Sequence, residues 1–192
     1  MSADPLLIVG LANPGKEYEK TRHNAGAWLV EALANEANVN LRLDPKFHGF
    51  HAFTKLHGCP AHLLIPTTFM NRSGLSIQAV MGFYKLKAEQ VLVAHDEIDL
   101  PAGVIRLKFD GGDGGHNGLK DTIRHLNSRQ FYRLRIGVGR PAPGHDVADY
   151  VLNNPSKADR ALIDDTIARA VNVMPLVLEG KMQAAMQELH TV

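Results

Sequence analysis

Leu6-Leu7-Ile8-Val9-Gly10-Leu11 decides the fold class. The run is continuously apolar, follows Asp4-Pro5 and stops at Asn13-Pro14-Gly15. A strand with no polar side suits the middle of a sheet covered on both faces. The run is too short to span a bilayer and no basic cluster precedes it, so it reads as a strand and not as a signal or anchor. A helix comes next: Asn24 is a good N-cap, and Trp28, Leu29, Ala32 and Leu33 recur at helical spacing toward about residue 38. His23 then lies just outside the first turn, facing solvent or a cleft.

Working outward, residues 50–56 and 62–65 read as a hairpin around His57-Gly58-Cys59-Pro60. Asn71 reads as the N-cap of a helix with Leu75, Ala79, Val80 and Phe83 on one stripe, a role that leaves it free to touch a ligand as well. Residues 90–95 form another buried strand, with Asp96 at its carboxyl end, where ligand sites of open α/β sheets gather. Residues 104–109 and 132–136 alternate, with Arg106, Lys108, Arg133 and Arg135 outward. A glycine-rich loop precedes a helix from about residue 119 to 126. A second turn-rich stretch, 141–146, precedes a long helix capped by Ser156, with Leu162, Ile163, Ile167, Ala170, Val171 and Met174 on its stripe and Pro175 expected to kink or end it. Strands alternating with helices, one pair of them a hairpin, predict an α/β single domain over residues 1–192: a twisted mixed β-sheet flanked by α-helices.

Composition narrows the function. The single cysteine, Cys59, excludes an internal disulfide and fits a reducing, cytoplasmic setting. Net charge is only +1, but residues 103–140 hold eight Lys/Arg against three Asp, whereas 146–192 hold four against seven acidic residues. A nucleic acid would be met by the former. Gly10 and Gly15 have P-loop spacing and Lys16 follows, yet Glu17 stands where a Ser or Thr should hold magnesium and Pro14 removes an amide, so nucleotide binding is rejected. There are ten histidines but no His-Glu-x-x-His, and His48 and His51 have no partner cluster. No metal and no cofactor is expected.

Two loops repeat one grammar, delivering His23-Asn24 and His116-Asn117 to helix starts. With Asn13, Asn71 and Asp96 they form a set at loops and strand ends. Neutral imidazole can take a proton from water, worth roughly a hundred- to ten-thousandfold. Asp96 would orient His23 and stabilise its imidazolium form. No Gly-x-Ser-x-Gly elbow is present and Cys59 sits beside a turn proline, so water is the better nucleophile. Asparagine amides can hold a peptide backbone, orient water and stabilise an oxyanion, at roughly a hundred- to a thousandfold per donor. That chemistry leans toward an activated ester over a peptide bond. If the two alternating strands are neighbours, their four cations make one surface suited to RNA phosphates; otherwise they are ordinary solvated strands. Tyr18, Phe69 and Tyr84 could stack bases, although packing is the commoner use of each.

Residues 18–31 and 112–123 resemble the two signature stretches of the bacterial-type peptidyl-tRNA hydrolase family. The likeness extends through Gly10-Leu11-Ala12-Asn13-Pro14-Gly15, Pro66-Thr67-Thr68-Phe69-Met70-Asn71-Arg72-Ser73-Gly74 and His95-Asp96-Glu97-Ile98-Asp99-Leu100-Pro101, nearly the whole chain. It implies hydrolysis of the ester joining a peptide to the terminal ribose of tRNA, with peptidyl-tRNA as partner and a monomer as the working form. By similarity His23 is the base and Asp96 its orienting acid. Asn13 and Asn71 bind the peptidyl end, with Met70 and His116 beside them, and Asn117 positions water or product near the ribose. Tyr18 contacts the acceptor end, and Lys108 and Arg135 match basic residues that grip its phosphates. Lid behaviour of the loop 140–146 transfers least. Two rivals stay open on sequence: a non-catalytic RNA-binding module, separable by turnover, and a small-molecule esterase indifferent to tRNA.

Overall fold

The computed structural model describes residues 4–191. β1 (Leu6–Gly10) is buried along its whole length and lies at the centre of a seven-stranded sheet. The other strands are β2 (Arg42–Asp44), β3 (Gly49–Leu56), β4 (Cys59–Pro66), β5 (Val91–Glu97), β6 (Ile105–Phe109) and β7 (Tyr132–Gly137). Their order across the sheet is β2-β3-β4-β1-β5-β7-β6. The four middle strands are parallel; β2 on β3, β3 on β4 and β6 on β7 are antiparallel. The mixed sheet follows from the hairpin, as expected.

Alternation along β1 divides the core in two. Leu6 and Ile8 face α1 (Ala25–Glu36), α5 (Lys157–Leu178) and α6 (Met182–His190). Leu7 and Val9 face α2 (Ser73–Tyr84) and α3 (Asn117–Leu126). Each fully buried Leu or Ile in such a layer contributes about 1.5–3 kcal/mol relative to exposure. Among the described residues no helix is long and apolar enough to cross a membrane.

Several expectations shift. The hairpin turn is only His57-Gly58, with φ of 50° and 81°, and β4 already begins at Cys59. Positive φ at both positions suits the right-handed twist of the paired strands, which a two-residue turn with negative φ would splay. The buried stripe of α2 is Ser73, Gly74, Ser76, Ile77 and Val80, while Phe83 is exposed. Small residues face inward because α2 packs tightly on α3: a Cβ on Gly74 would lie 2.4 Å from the Asp121 carbonyl oxygen. Leu162 is likewise exposed, and the inner face of α5 runs through Ile163, Thr166, Ile167, Ala170, Val173, Met174 and Val177. Pro175 does not end α5; Met174, Val177 and Leu178 are buried in the core shared with α1 and α6, and the chain turns at Gly180, φ 77°. His51 does have a partner, since its Nε2 lies 3.0 Å from His62 Nδ1, with Tyr84 packed on both rings. Burial there holds His62 down at about 4.

Two glycines bring the site together. A Cβ on Gly10 would lie 2.3 Å from the Gly26 carbonyl oxygen, and one on Gly26 would lie 2.2 Å from that of Ala94. The start of α1 therefore rests directly on the carboxyl ends of β1 and β5. Because α1 follows β1 on one face and α2 follows its parallel neighbour β4 on the other, this is a switch point of the sheet, with a crevice beyond the strand ends.

Candidate active site

A single 3-10 turn, Arg22–Asn24, carries His23 over the end of β5. Arg22 fixes one side of this turn: its backbone N–H donates to the Asn153 carbonyl, its Nη1 donates to the Tyr150 carbonyl at 2.8 Å, and its guanidinium lies 3.8 Å from the Tyr150 ring centroid. Asn24 fixes the other. It stands at the N-cap position of α1 but makes no cap bond; instead its Oδ1 accepts from the Asn13 N–H at 2.9 Å and its Nδ2 donates to the Asn13 carbonyl at 3.0 Å. The expected cap is thus a clamp on the loop after β1, which gives a buried amide two partners. Asn13 Oδ1 accepts in turn from the Met70 N–H at 2.7 Å.

Asp96 is buried between two imidazoles. His23 Nδ1 lies 3.0 and 2.9 Å from its two carboxylate oxygens, and His116 Nε2 lies 2.7 Å from Oδ1. His116 Nδ1 accepts from the N–H groups of Gly118 and Leu119, so it caps α3 and must carry its proton on Nε2. By the same logic His23 donates through Nδ1, leaving Nε2 unprotonated on the far side of the ring. Burial pulls the His23 pKa down, but the charge and hydrogen bond of Asp96 outweigh it and raise it. Asp96 is held far below the ordinary carboxylate range: burial opposes ionisation, yet the two imidazoles overcome it. Beneath them His95 donates from Nδ1 to the Asp96 carbonyl at 2.9 Å, and complete burial, helped by neighbouring His116, depresses it to about 3.

Two cavities meet at His23. One, about 270 Å³, lies between His23, Asp96, His116 and the short helix α4 (Val147–Val151). The other, about 400 Å³, is lined by Asn13, Tyr18, Phe69, Met70, Asn71, Asn117 and Leu152. Asn13, Met70 and Asn71, expected together on the peptide side, line this cavity, whereas His116 lines the other. Met70 is buried, so its main chain and packing serve the cleft, whereas Asn71 and Asn117 are exposed. Asn71 is not a cap: it sits inside a 3-10 turn, Met70–Arg72. Sequence reasoning gave no role to Arg22 and His95, although both lie in stretches it singled out, and it did not place α4.

The basic surface is thinner than expected. β6 and β7 are neighbours, with Arg106 opposite Arg135 and Lys108 opposite Arg133. Arg133, however, does not point outward. It is 2% exposed, because it turns back to serve the carbonyls of the glycine-rich loop. Arg135 donates to Glu97 Oε1 at 2.9 Å, and Arg106 is half-buried, donating to the Ile105 carbonyl. Lys108 is exposed beside a cavity of about 340 Å³ shared with His95, Glu97 and Arg135.

A family model described as peptidyl-tRNA hydrolase matches residues 7–192. The chain belongs to the peptidyl-tRNA hydrolase family. A peptidyl-tRNA hydrolase from Nitrosospira multiformis is 55% identical over 185 residues, covering 96% of this chain and 97% of that one. The solved peptidyl-tRNA hydrolase of Acinetobacter baumannii superposes with a TM-score of 0.95 at 43% identity, over 100% of this chain and 97% of its own. A peptidyl-tRNA hydrolase structure with N-propanol matches with the same TM-score, identity and coverage. These solved structures share the overall fold described above.

Proposed function

We infer that the reaction of this family, hydrolysis of peptidyl-tRNA, is performed here with His23 as general base. The observation that carries the reading is Asp96 accepting from two imidazole N–H groups at once. That arrangement leaves His23 Nε2 as the unprotonated nitrogen at the junction of both cavities. Nε2 takes a proton from water as the oxygen attacks the ester carbonyl. The resulting imidazolium is stabilised by Asp96, as in triad logic. Amide N–H groups of Asn13, Asn71 and Asn117 bind the peptide carbonyl and its developing oxyanion. Collapse breaks the carbon–oxygen bond to the ribose, whose oxygen recovers the proton from Nε2. The products are a peptide acid and free tRNA.

His116 holds Asp96 in place, Met70 shapes the peptide side, and Tyr18 flanks the acceptor end. Lys108, Arg135 and Arg106 meet phosphates, with Glu97 in competition for Arg135. Metal-free catalysis fits the same distances. His23, Asp96 and His116 form the one cluster among the described residues with ligand atoms within 4.8 Å of each other. Ligands about 2.0–2.2 Å from a tetrahedral ion stand roughly 3.3 Å apart. The 2.7 Å contact is shorter, and its nitrogen bears a proton. The site is complete within one chain and Cys59 is a free thiol, which suits a monomer in the cytoplasm.

The test is His23→Ala with N-acylated and free aminoacyl-tRNA as substrates. Turnover should fall at least about a hundredfold with KM little changed and the fold intact by circular dichroism. Near wild-type turnover would falsify the assignment.

A further inference from the structure

We propose that Arg133 is a positioning residue for catalysis, tying down the glycine-rich loop that delivers His116 and Asn117, and is not a phosphate ligand. The proposal rests on the functional reading of His116 and Asp96 above. Arg133 Nη1 donates to the Gly112 carbonyl, while Nη2 donates to those of Gly111 at 2.6 Å and Arg129 at 3.2 Å. The guanidinium lies 4.4 Å from the ring centroid of Phe131, itself fully buried. The side chain is thus buried, lining the cavity beside Lys108 with its terminal donors already engaged on carbonyls, whereas a phosphate ligand must present free donors.

The loop needs such a tether. Four of the five residues 111–115 are glycine, and Gly111, Gly114 and Gly115 have φ of 120°, 57° and 84°. Glycines lose more freedom on ordering than other residues, and they bring no side chain to pack. Asp113 alone offers one, and it turns inward on the loop, accepting from the Gly115 N–H at 2.8 Å. The next residue is His116, whose position against Asp96 depends on where the loop arrives. Arg133 extends from β7, one strand over from the strand that bears Asp96, so a rigid sheet sets the reference. A planar fork is suited to several carbonyls at once in a way that an ammonium is not.

Arg133→Met removes the donors while keeping an unbranched chain; Arg133→Lys keeps a cation with a single ammonium. Both would be assayed on peptidyl-tRNA and on a minimal substrate carrying only the acylated terminal nucleotide, over a salt series, with amide exchange followed on the free protein. Displacement of the loop should lower kcat about ten- to a hundredfold on both substrates. The salt slope of KM should stay unchanged, and exchange should quicken at residues 111–118 but not in β5 or β7. Arg133→Lys should fall between wild type and Arg133→Met. If Arg133→Met does not fold, Arg133→Lys decides by the same criteria. A loss confined to full-length tRNA with a flatter salt slope would make Arg133 a phosphate ligand and overturn the proposal. Unchanged loop exchange, or faster exchange with wild-type kcat, would overturn it too. The exchange readout involves no chemistry, so it stands apart from any failure of His23 as base.

Discussion

Asp96→Asn changes one atom and should disable the site through a tautomer. Asp96 Oδ1 accepts from His116 at 2.7 Å and from His23 at 3.0 Å, and Oδ2 accepts from His23 at 2.9 Å. The N–H groups of Gly118 and Leu119 hold His116 Nδ1 as an acceptor, so its Nε2 keeps the proton. An asparagine must therefore turn its oxygen to His116. Its amide then faces His23 Nδ1, where two N–H donors would oppose each other.

His23 escapes by moving its proton to Nε2, a good hydrogen bond but a ring with no base toward the cleft. Loss of a base costs roughly 10²–10⁴ in kcat, the upper end matching the carboxylate-to-amide change in a protease triad. At about 1.36 kcal/mol per decade that is roughly 3–5 kcal/mol of transition-state stabilisation. With the carboxylate gone, its charge and hydrogen bond no longer offset the burial of His23, so any residual acid limb should move down. The measurements are kcat over a pH series and the nitrogen chemical shifts of His23. A kcat close to wild type, or an Nε2 that stays unprotonated in the variant, would refute the reasoning.

Three further outcomes concern protonation and RNA docking, and a fourth concerns metal. The raised His23 pKa means that base activity appears only as pH climbs above a value higher than 6.5, so kcat/KM should rise across neutrality and lose its acid limb in His23→Ala. His95 and His62 behave oppositely for stability: their folded pKa values of about 3 and about 4 lie below the unfolded 6.5, so their contribution is present above pH 6.5 and lost as pH falls toward those values, which urea melts at pH 7 and 5 would register. Replacing Lys108 and Arg135 together by Ala should flatten the salt dependence of tRNA binding by roughly 0.7–0.9 log units per log salt for each phosphate no longer held, with kcat and the minimal substrate unaffected; an unchanged slope would move the docking site elsewhere. Dialysis against a chelator should leave turnover of the minimal substrate as it was, and recovery only on adding a divalent ion would sink metal-free catalysis.

Much of the fold is readable from the chain because β1 and the first four residues of β5, Val91 to Ala94, are apolar, and a run of that kind has one place to go. The helix stripes are less legible. In α2 the buried positions include Ser73, Gly74 and Ser76, which hydrophobic spacing scores as surface; they face inward since Ser76 Oγ donates to the Phe47 carbonyl at 2.6 Å and Gly74 abuts α3. A local rule lets Pro175 kink or end the helix, while α5 runs on to Leu178 because Met174, Val177 and Leu178 are buried in the core shared with α1 and α6. Tertiary packing prevails over local propensity in both cases.

The site divides along the same line. His23 and Asp96 stand out because an ionisable residue at a strand end or helix start has few structural uses. The His-Asn pairs look like one motif used twice, yet their parts are exchanged. In the first, His23 meets Asp96 and Asn24 clamps Asn13; in the second, His116 both meets Asp96 and caps its helix, leaving Asn117 to the cleft. Spacing cannot distinguish these, since both place a polar side chain at the same point of a loop. Charge is the least legible. Strand alternation assigns Arg133 and Arg135 one orientation, and it holds for the backbone, but a guanidinium on a long stem goes where carbonyls or carboxylates are. Arg133 finds three carbonyls and Arg135 finds Glu97. A count of basic residues therefore overstates the surface open to RNA: of the four strand cations, Lys108 alone is exposed, and phosphate binding at Arg135 has to share it with, or take it from, a carboxylate already in place.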